Sequence, residues 1–294
     1  MRKVRLLGRL GELDKIDRLL EAIGRVEARQ LEHDGGGRLD RHGFTVYSQH
    51  GEDGILQHLI RNVAVASRTF VEFGVGNYRQ ANTRFLAIND HWSGLVMDSD
   101  ADSVRQIQTD PIFWSINVRA VHAFVTRENI DSLLQANGLV GDIGLLSIDI
   151  DGNDYWVLEA ISSVRPALMV VEYNSRFGPE RAVSVPYDPA FNRWMAHPSG
   201  VYFGASLRAI VNLARRKGYA FVGCNSFGVN AFFVRSDLLT GNVSSVTVEE
   251  GFVAGQFREA RDRNGRLAFL EPAEEQAILA TMPLVEFNET GDLA

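Results

Sequence analysis

With one cysteine, Cys224, in 294 residues, the chain has no partner for an intramolecular disulfide and no thiolate set for zinc. That suits a reducing compartment such as the cytoplasm. No apolar run approaches the ~18 residues of a membrane span, and the first residues lack the apolar core of a signal peptide. A net charge of -7 leaves no basic surplus with which to grip phosphates over a broad face, so no nucleic-acid partner is expected. The motifs GxSxG, HExxH and GxxxxGK[ST] are missing, which removes the readings as serine hydrolase, zinc protease and P-loop enzyme. There is no internal repeat. What is present, 45% hydrophobic and 23% charged residues, is the make-up of a folded chain with one large α/β domain and appendages, or two small domains.

The stretch from Thr69 to Asp100 organises the rest. An apolar strand, Thr69 to Phe73, meets the turn Gly74-Val75-Gly76, and a second apolar strand ends at Asp98. An acid about 20 residues after a glycine turn is placed to accept the hydroxyls of a ribose. The third glycine of a dinucleotide fingerprint is absent, since Asn77-Tyr78-Arg79 follows Gly76. This speaks against a nicotinamide-dependent oxidoreductase. Glu72 just before the first glycine suits a cofactor with a cationic aminoacyl arm and no phosphate. In these features the unit resembles class I S-adenosylmethionine-dependent methyltransferases.

Around this unit strands and helices alternate, the pattern of a parallel sheet covered on both faces. Strands are expected near 69–74, 94–98, 116–125, 143–149, 167–173 and 219–223, with helices near 80–90, 101–108, 127–137, 154–162 and 204–217. Ala220–Asn225 and Asn230–Arg235 are joined by four residues and must pair as an antiparallel hairpin. The fold class is therefore α/β, a Rossmann-like seven-stranded sheet of the methyltransferase type with a terminal antiparallel hairpin. Three segments follow: an arm over 1–37, the main domain over 38–240, and an extension over 241–294 that reads as a mobile or packing tail with a helix after Pro272. In the arm, Leu6, Leu10, Leu13, Ile16, Leu20, Ile23 and Val26 recur at helical spacing. Such an amphipathic helix packs on its own domain or pairs with another copy, giving a homo-oligomer. Its basic start also allows contact with a membrane surface.

The densest chemistry is Ser147-Ile-Asp149-Ile-Asp151-Gly-Asn153-Asp154, followed on the next strand by Glu172-Tyr-Asn174. Ligands of open α/β sheets bind at the carboxyl ends of strands, where these acids fall. Like charges so close need a shared proton or a cation. Two readings stay open. In one, Asp149, Glu172 and Asn174 hold Mg²⁺, which grips two hydroxyls of the substrate. In the other, Asp151 or Glu172 is a general base. Asp154 is expected to cap the helix after it. His122 reads as a core histidine, and His50, His91 and His197 as surface residues. Tyr187, Trp194 and Tyr202 are candidate walls for a ring-shaped acceptor.

Taken together, Ser48-Gln49, Glu52-Asp53-Gly54, Glu72-Phe-Gly74-Val-Gly76, Asn82-Thr83, the Asp149 run and Glu172-Tyr-Asn174 resemble a bacterial methyltransferase family related to the FkbM type, over about residues 45–236. The resemblance implies O-methylation of a glycan or small secondary metabolite. Glu72, Gly74 and Gly76 would border the methionine arm, Asp98 the ribose and Phe124 the adenine, with Asp149 between cofactor and acceptor. Asp151, Glu172 and Asn174 would lie on the reaction side. Asp149, Glu172 and Asn174 are also similar to the metal set of catechol-type O-methyltransferases. The run Asp-Ile-Asp-Gly-Asn-Asp departs from the FkbM pattern, in which a Lys and a Glu flank the aspartate. The other reading of the fold is a catalytically silent subunit that docks a partner through its N-terminal helix.

Overall fold

The computed structural model describes residues 2–31 and 37–288, with side chains from Lys15 onward. Helix α1 (Arg2–Gln30) leads into α2 (Glu52–Asn62), and then the alternation begins: β1 (Thr69–Phe73), α3 (Arg84–Asn89), β2 (Ser93–Asp98), α4 (Ala101–Thr109), β3 (Val118–His122), α5 (Ile130–Ala136), β4 (Gly141–Ile148), α6 (Asp154–Ala160) and β5 (Val164–Glu172). After an insertion with β6 (Val183–Ser184) and α7 (Arg193–Ala196) come α8 (Leu207–Arg216), β7 (Tyr219–Cys224) and β8 (Asn230–Arg235). The C-terminal segment adds α9 (Val248–Gly251), α10 (Pro272–Leu279) and β9 (Val285–Glu286).

The seven-stranded sheet has the order β3-β2-β1-β4-β5-β8-β7, with β8 antiparallel to both neighbours. The five-residue connection between β7 and β8 imposes this, as the hairpin spacing predicts. Strands β4 and β5 are central and, from Ile143 and Pro166 onward, buried on both faces, so those stretches are mostly apolar without alternation. Val71, Leu146, Trp156 and Ile210 belong to the core on one face, Ile55, Leu59, Leu86 and Val170 to that on the other. The order reverses between β1 and β4, and the loops leaving β1, β2, β4 and β5 meet beside that point.

Several boundaries differ from those expected. The helix predicted at 80–90 starts only at Arg84 because the carboxylate of Glu72 takes the amides of Asn82 and Thr83 at 2.8 and 3.0 Å, holding that stretch as a loop. β3 ends at His122 and is an edge strand, so His122 is exposed and not a core histidine. The C-terminal segment is packed. The β9 strand pairs with β6, and Val183, Val201, Tyr202, Ala260 and Leu279 share a satellite core. Among the described residues no helix is long and apolar enough to cross a membrane.

Candidate active site

The two ends of the first βαβ unit fix a carboxylate at the mouth of a cavity. Gly74, with φ 73°, passes so close to β4 that a Cβ would lie 1.6 Å from the carbonyl oxygen of Asp149, so only glycine lets these strand ends meet. The Gly76 amide donates to Asp98 Oδ2 at 2.7 Å, and that of Asp100 to Oδ1 at 2.8 Å. Each oxygen of Asp98 keeps further lone pairs for a ligand. The cavity, about 390 Å³, is bounded by Gly74, Gly76, Asp98, Phe124, Asp149 and Asn153, with Trp194 from the insertion. Phe124 lies in the loop just after β3, half-exposed. Asn153 donates through Nδ2 to the Asp188 carbonyl at 2.8 Å, while its buried Oδ1 has no partner.

A second cavity of about 260 Å³ shares Gly74, Asp149, Asp151 and Arg193 with the first. Glu172, 7% exposed at the end of β5, faces Asp149 there. Burial pushes both carboxyls well above the ordinary range; the charges of Asp151, Asp154 and Glu72 add to this at Asp149 and those of Asp149, Asp151 and Asp154 at Glu172, while the hydrogen bond from Glu172 favours the ionised Asp149, so one proton is held between them. Glu172 Oε2 has no other partner. Asp151, at φ 55°, turns outward to the Arg193 guanidinium, which also donates to Glu259 at 2.7 Å and to the Gly200 carbonyl. Asp154 accepts the amides of Ile150 and Gly152 at 2.8 and 2.9 Å, and so sets the shape of the loop that carries Asp149 and Asp151.

The opposite wall comes from distant segments. Buried Glu52 accepts the His50 amide at 2.8 Å and the side-chain amides of Asn225 and Asn230 at 2.6 and 3.0 Å, which ties the 48–51 loop to the β7–β8 hairpin. His50 thereby stacks on Phe227 of the hairpin turn, with ring centres 4.5 Å apart, and lines the second cavity. Phe257 and Glu259 arrive from the C-terminal segment, anchored where the Tyr173 hydroxyl donates to the Val253 carbonyl at 2.6 Å and the Gly255 amide to Ser175 Oγ at 2.9 Å. Arg176 is held by Glu275 at 2.9 Å.

Some expected residues stand elsewhere. Glu72 lines neither cavity. Its carboxylate is consumed by Asn82 and Thr83, including the Thr83 hydroxyl at 2.5 Å. Asn174, 1% exposed, brackets the insertion by donating to the Val201 and Phe203 carbonyls at 2.9 and 3.0 Å, and its Oδ1 accepts the Arg176 amide. Tyr202 donates to the Pro283 carbonyl within the satellite core, and Tyr187 to Glu128 at the surface. Trp194 lines the first cavity, not the second. The reading of His50 as a surface residue does not hold. Arg193, Phe257 and Glu259 carried no sequence signal, because their place depends on where the insertion and the C-terminal segment fold back.

The Methyltransferase FkbM domain model matches residues 32–220. The chain belongs to the FkbM methyltransferase family. No curated protein matches it. Similar solved structures include an S-adenosylmethionine-dependent methyltransferase from Clostridium acetobutylicum, 9% identical over 62% of this chain and 89% of that one, with a TM-score of 0.40. Others are a putative O-methyltransferase from Klebsiella pneumoniae (14%, 73% and 87%, TM-score 0.38) and the N-terminal domain of EvdMO1 with SAH bound (14%, 72% and 94%, TM-score 0.39). As a member of the FkbM family the chain is an S-adenosylmethionine-dependent methyltransferase. The first cavity fits that cofactor: Asp98 offers acceptors for two hydroxyls, and the unpartnered Asn153 Oδ1 offers one for an amino group.

The Mg²⁺ set of Asp149, Glu172 and Asn174 does not assemble. Both ends of the Asn174 amide are spent on backbone, and two carboxylates are left. Among the described residues no group of three or more His, Cys, Asp or Glu side chains is placed to hold a metal ion.

Proposed function

We propose that this FkbM methyltransferase transfers a methyl group to a hydroxyl of a glycan or small secondary metabolite bound in the second cavity, with the Asp149–Glu172 pair taking the hydroxyl proton. The observation that carries the reading is the position of that pair: Asp149 lines both cavities and Glu172 the second, and Glu172 Oε2 has no hydrogen-bond donor to quench it. Bound S-adenosylmethionine supplies an electrophilic methyl group, so the chain's own task is alignment and removal of one proton. Asp98 holds the ribose and Phe124 covers the adenine. Gly74 and Gly76 let the backbone lie against the cofactor. The ionised member of the pair accepts the acceptor's proton as the new carbon–oxygen bond forms. Asp151, pinned by Arg193, walls the passage between the cavities.

Calorimetric titration with S-adenosylmethionine and S-adenosylhomocysteine tests the cofactor half. Asp98→Ala removes two charge-assisted hydrogen bonds, and weakening by roughly a hundredfold or more is expected. A screen of sugars and hydroxylated metabolites, scored by S-adenosylhomocysteine release, tests the acceptor half. Methylation of amines or carbon acids alone would overturn the O-methyl assignment.

A further inference from the structure

The second cavity holds more negative charge than its cations offset. Among the described residues that line it, Arg176 and Arg193 are the guanidiniums, and both are already engaged. Arg193 meets Asp151 and, at 2.7 Å, Glu259, while Arg176 meets Glu275 at 2.9 Å and Glu259 at 3.6 Å. Three carboxylates thus face two guanidiniums, and the Asp149–Glu172 pair with its one proton adds a further negative charge, which leaves an excess of two. Glu172 is 7% exposed, and its Oε2 meets no donor among the described residues. A buried acceptor without a donor is costly, so the place suits a donor that arrives with the ligand. In the same cavity the His50 ring lies parallel to that of Phe257, at an interplanar angle of 5° with centres 6.3 Å apart. Flat apolar faces beside carboxylates suit a ring that presents both C–H and polar groups. At about 260 Å³, below the ~300–1,000 Å³ of sites for drug-sized ligands, the cavity encloses a single such ring.

We propose, resting on the reading of the second cavity as the acceptor site, that the acceptor is an amino sugar whose ammonium group is held at Glu172 and whose neighbouring hydroxyl receives the methyl group. The ammonium brings the donor that Glu172 lacks and offsets part of the excess charge. Its protonated nitrogen has no lone pair with which to attack, so the hydroxyl beside it is the nucleophile. The hydroxyl oxygen bonds to the methyl carbon as the carbon–sulfur bond breaks, the electron pair of that bond stays on sulfur, and the hydroxyl proton passes to the Asp149–Glu172 pair. An anionic acceptor, such as a uronic acid or a sugar phosphate, fits poorly. It would have to draw Arg176 or Arg193 away from carboxylates already in contact with them and leave those carboxylates unpaired.

The test compares methyl glycosides of glucose and galactose with their 2-amino, 2-acetamido and uronic acid counterparts. The ratio kcat/KM is read from S-adenosylhomocysteine release, the methylated atom is located by NMR, and acceptor binding to the protein saturated with S-adenosylhomocysteine is read by calorimetry. At neutral pH the 2-amino forms are expected to exceed the neutral and acetylated forms by roughly tenfold or more, the gain from one charge-assisted hydrogen bond, with the uronic acids left unmethylated. The advantage disappears as pH rises through the pKa of the sugar amine, found by titrating the acceptor alone, because the neutral amine brings no charge. In Glu259→Gln, with one negative charge fewer, the ratio of amino to neutral rates falls several-fold, and a ratio within one variant is not moved by loss of folded protein. Neutral sugars methylated on oxygen as fast as the amino forms overturn the amino-sugar proposal and leave the hydroxyl reading standing. Absence of amino-sugar binding overturns the proposal as well. Tighter binding of amino sugars with no methylation of oxygen keeps the ammonium site and overturns the hydroxyl reading, and methylation on nitrogen overturns both.

Discussion

Asp53, Glu72 and Asp154 are buried as deeply as Glu172, yet they differ from the Asp149–Glu172 pair in what meets their oxygens. One oxygen of Asp53 takes the amides of Val46, Tyr47 and Ser48 at 2.7, 2.7 and 2.8 Å, and Ser48 Oγ in turn accepts the Asp53 amide. Glu72 and Asp154 are bracketed by backbone in the same manner. These three acids order the loops at the carboxyl ends of the strands. The pair has each other and the cavity. Desolvation acts on all five, so burial alone does not separate an acid that builds the site from one free to do chemistry. The supply of backbone donors does.

The sharpest way to break this comparison is Glu172→Gln. With its proton acceptor gone, the rate on the best acceptor is expected to fall roughly 10²–10⁴-fold, while S-adenosylhomocysteine affinity and thermal midpoint are kept. A collapse of stability instead would move Glu172 into the structural group. Asp154→Ala leaves the Ile150 and Gly152 amides without their acceptor, for a loss of about 2–4 kcal/mol and a fall of about 5–15 °C in midpoint by calorimetry. A lost rate with an unchanged midpoint would place Asp154 with the chemistry.

Stability should also depend on pH. Burial raises Asp53 and Asp154 from 3.8 to about 6, and Glu72 from 4.5 to about 7, against the pull of their hydrogen bonds. Between the unfolded and folded values the folded chain binds more protons, so this contribution is full below about pH 4 and lost as pH rises through 6 to 7. Each tenfold in proton affinity is worth about 1.4 kcal/mol. The thermal midpoint is expected to rise as pH is lowered from 8 to 5, and the rise to shrink in Glu72→Gln. The smallest effect is that of Tyr202→Phe, which removes the bond to the Pro283 carbonyl far from either group: about 1 kcal/mol in denaturant unfolding, with the rate unchanged.

Local rules made much of this legible in the chain itself. Apolar runs bounded by glycine, the short turn between β7 and β8, and the distance from Gly76 to Asp98 depend on neighbours in sequence. From them follow the order of strands and helices, the antiparallel last strand and the acid at the mouth of the first cavity. Strand ends also foretold that Asp149 and Glu172 meet, since β4 and β5 are adjacent and in register. The roles of Glu72 and Asn174 were not legible, because a carboxylate or amide at a strand end looks the same whether its oxygens meet backbone or cavity. Nor was the second wall. His50 owes its place to Glu52 reaching Asn225 and Asn230, more than 170 positions away, and Phe257 and Glu259 owe theirs to a C-terminal segment folding onto the insertion. Sequence alone determined the sheet and the acids at its rim, because strand period and turn length are short-range properties. Tertiary structure alone decided which of those acids stay free and what closes over them, because only packing between distant segments distributes donors and excludes water.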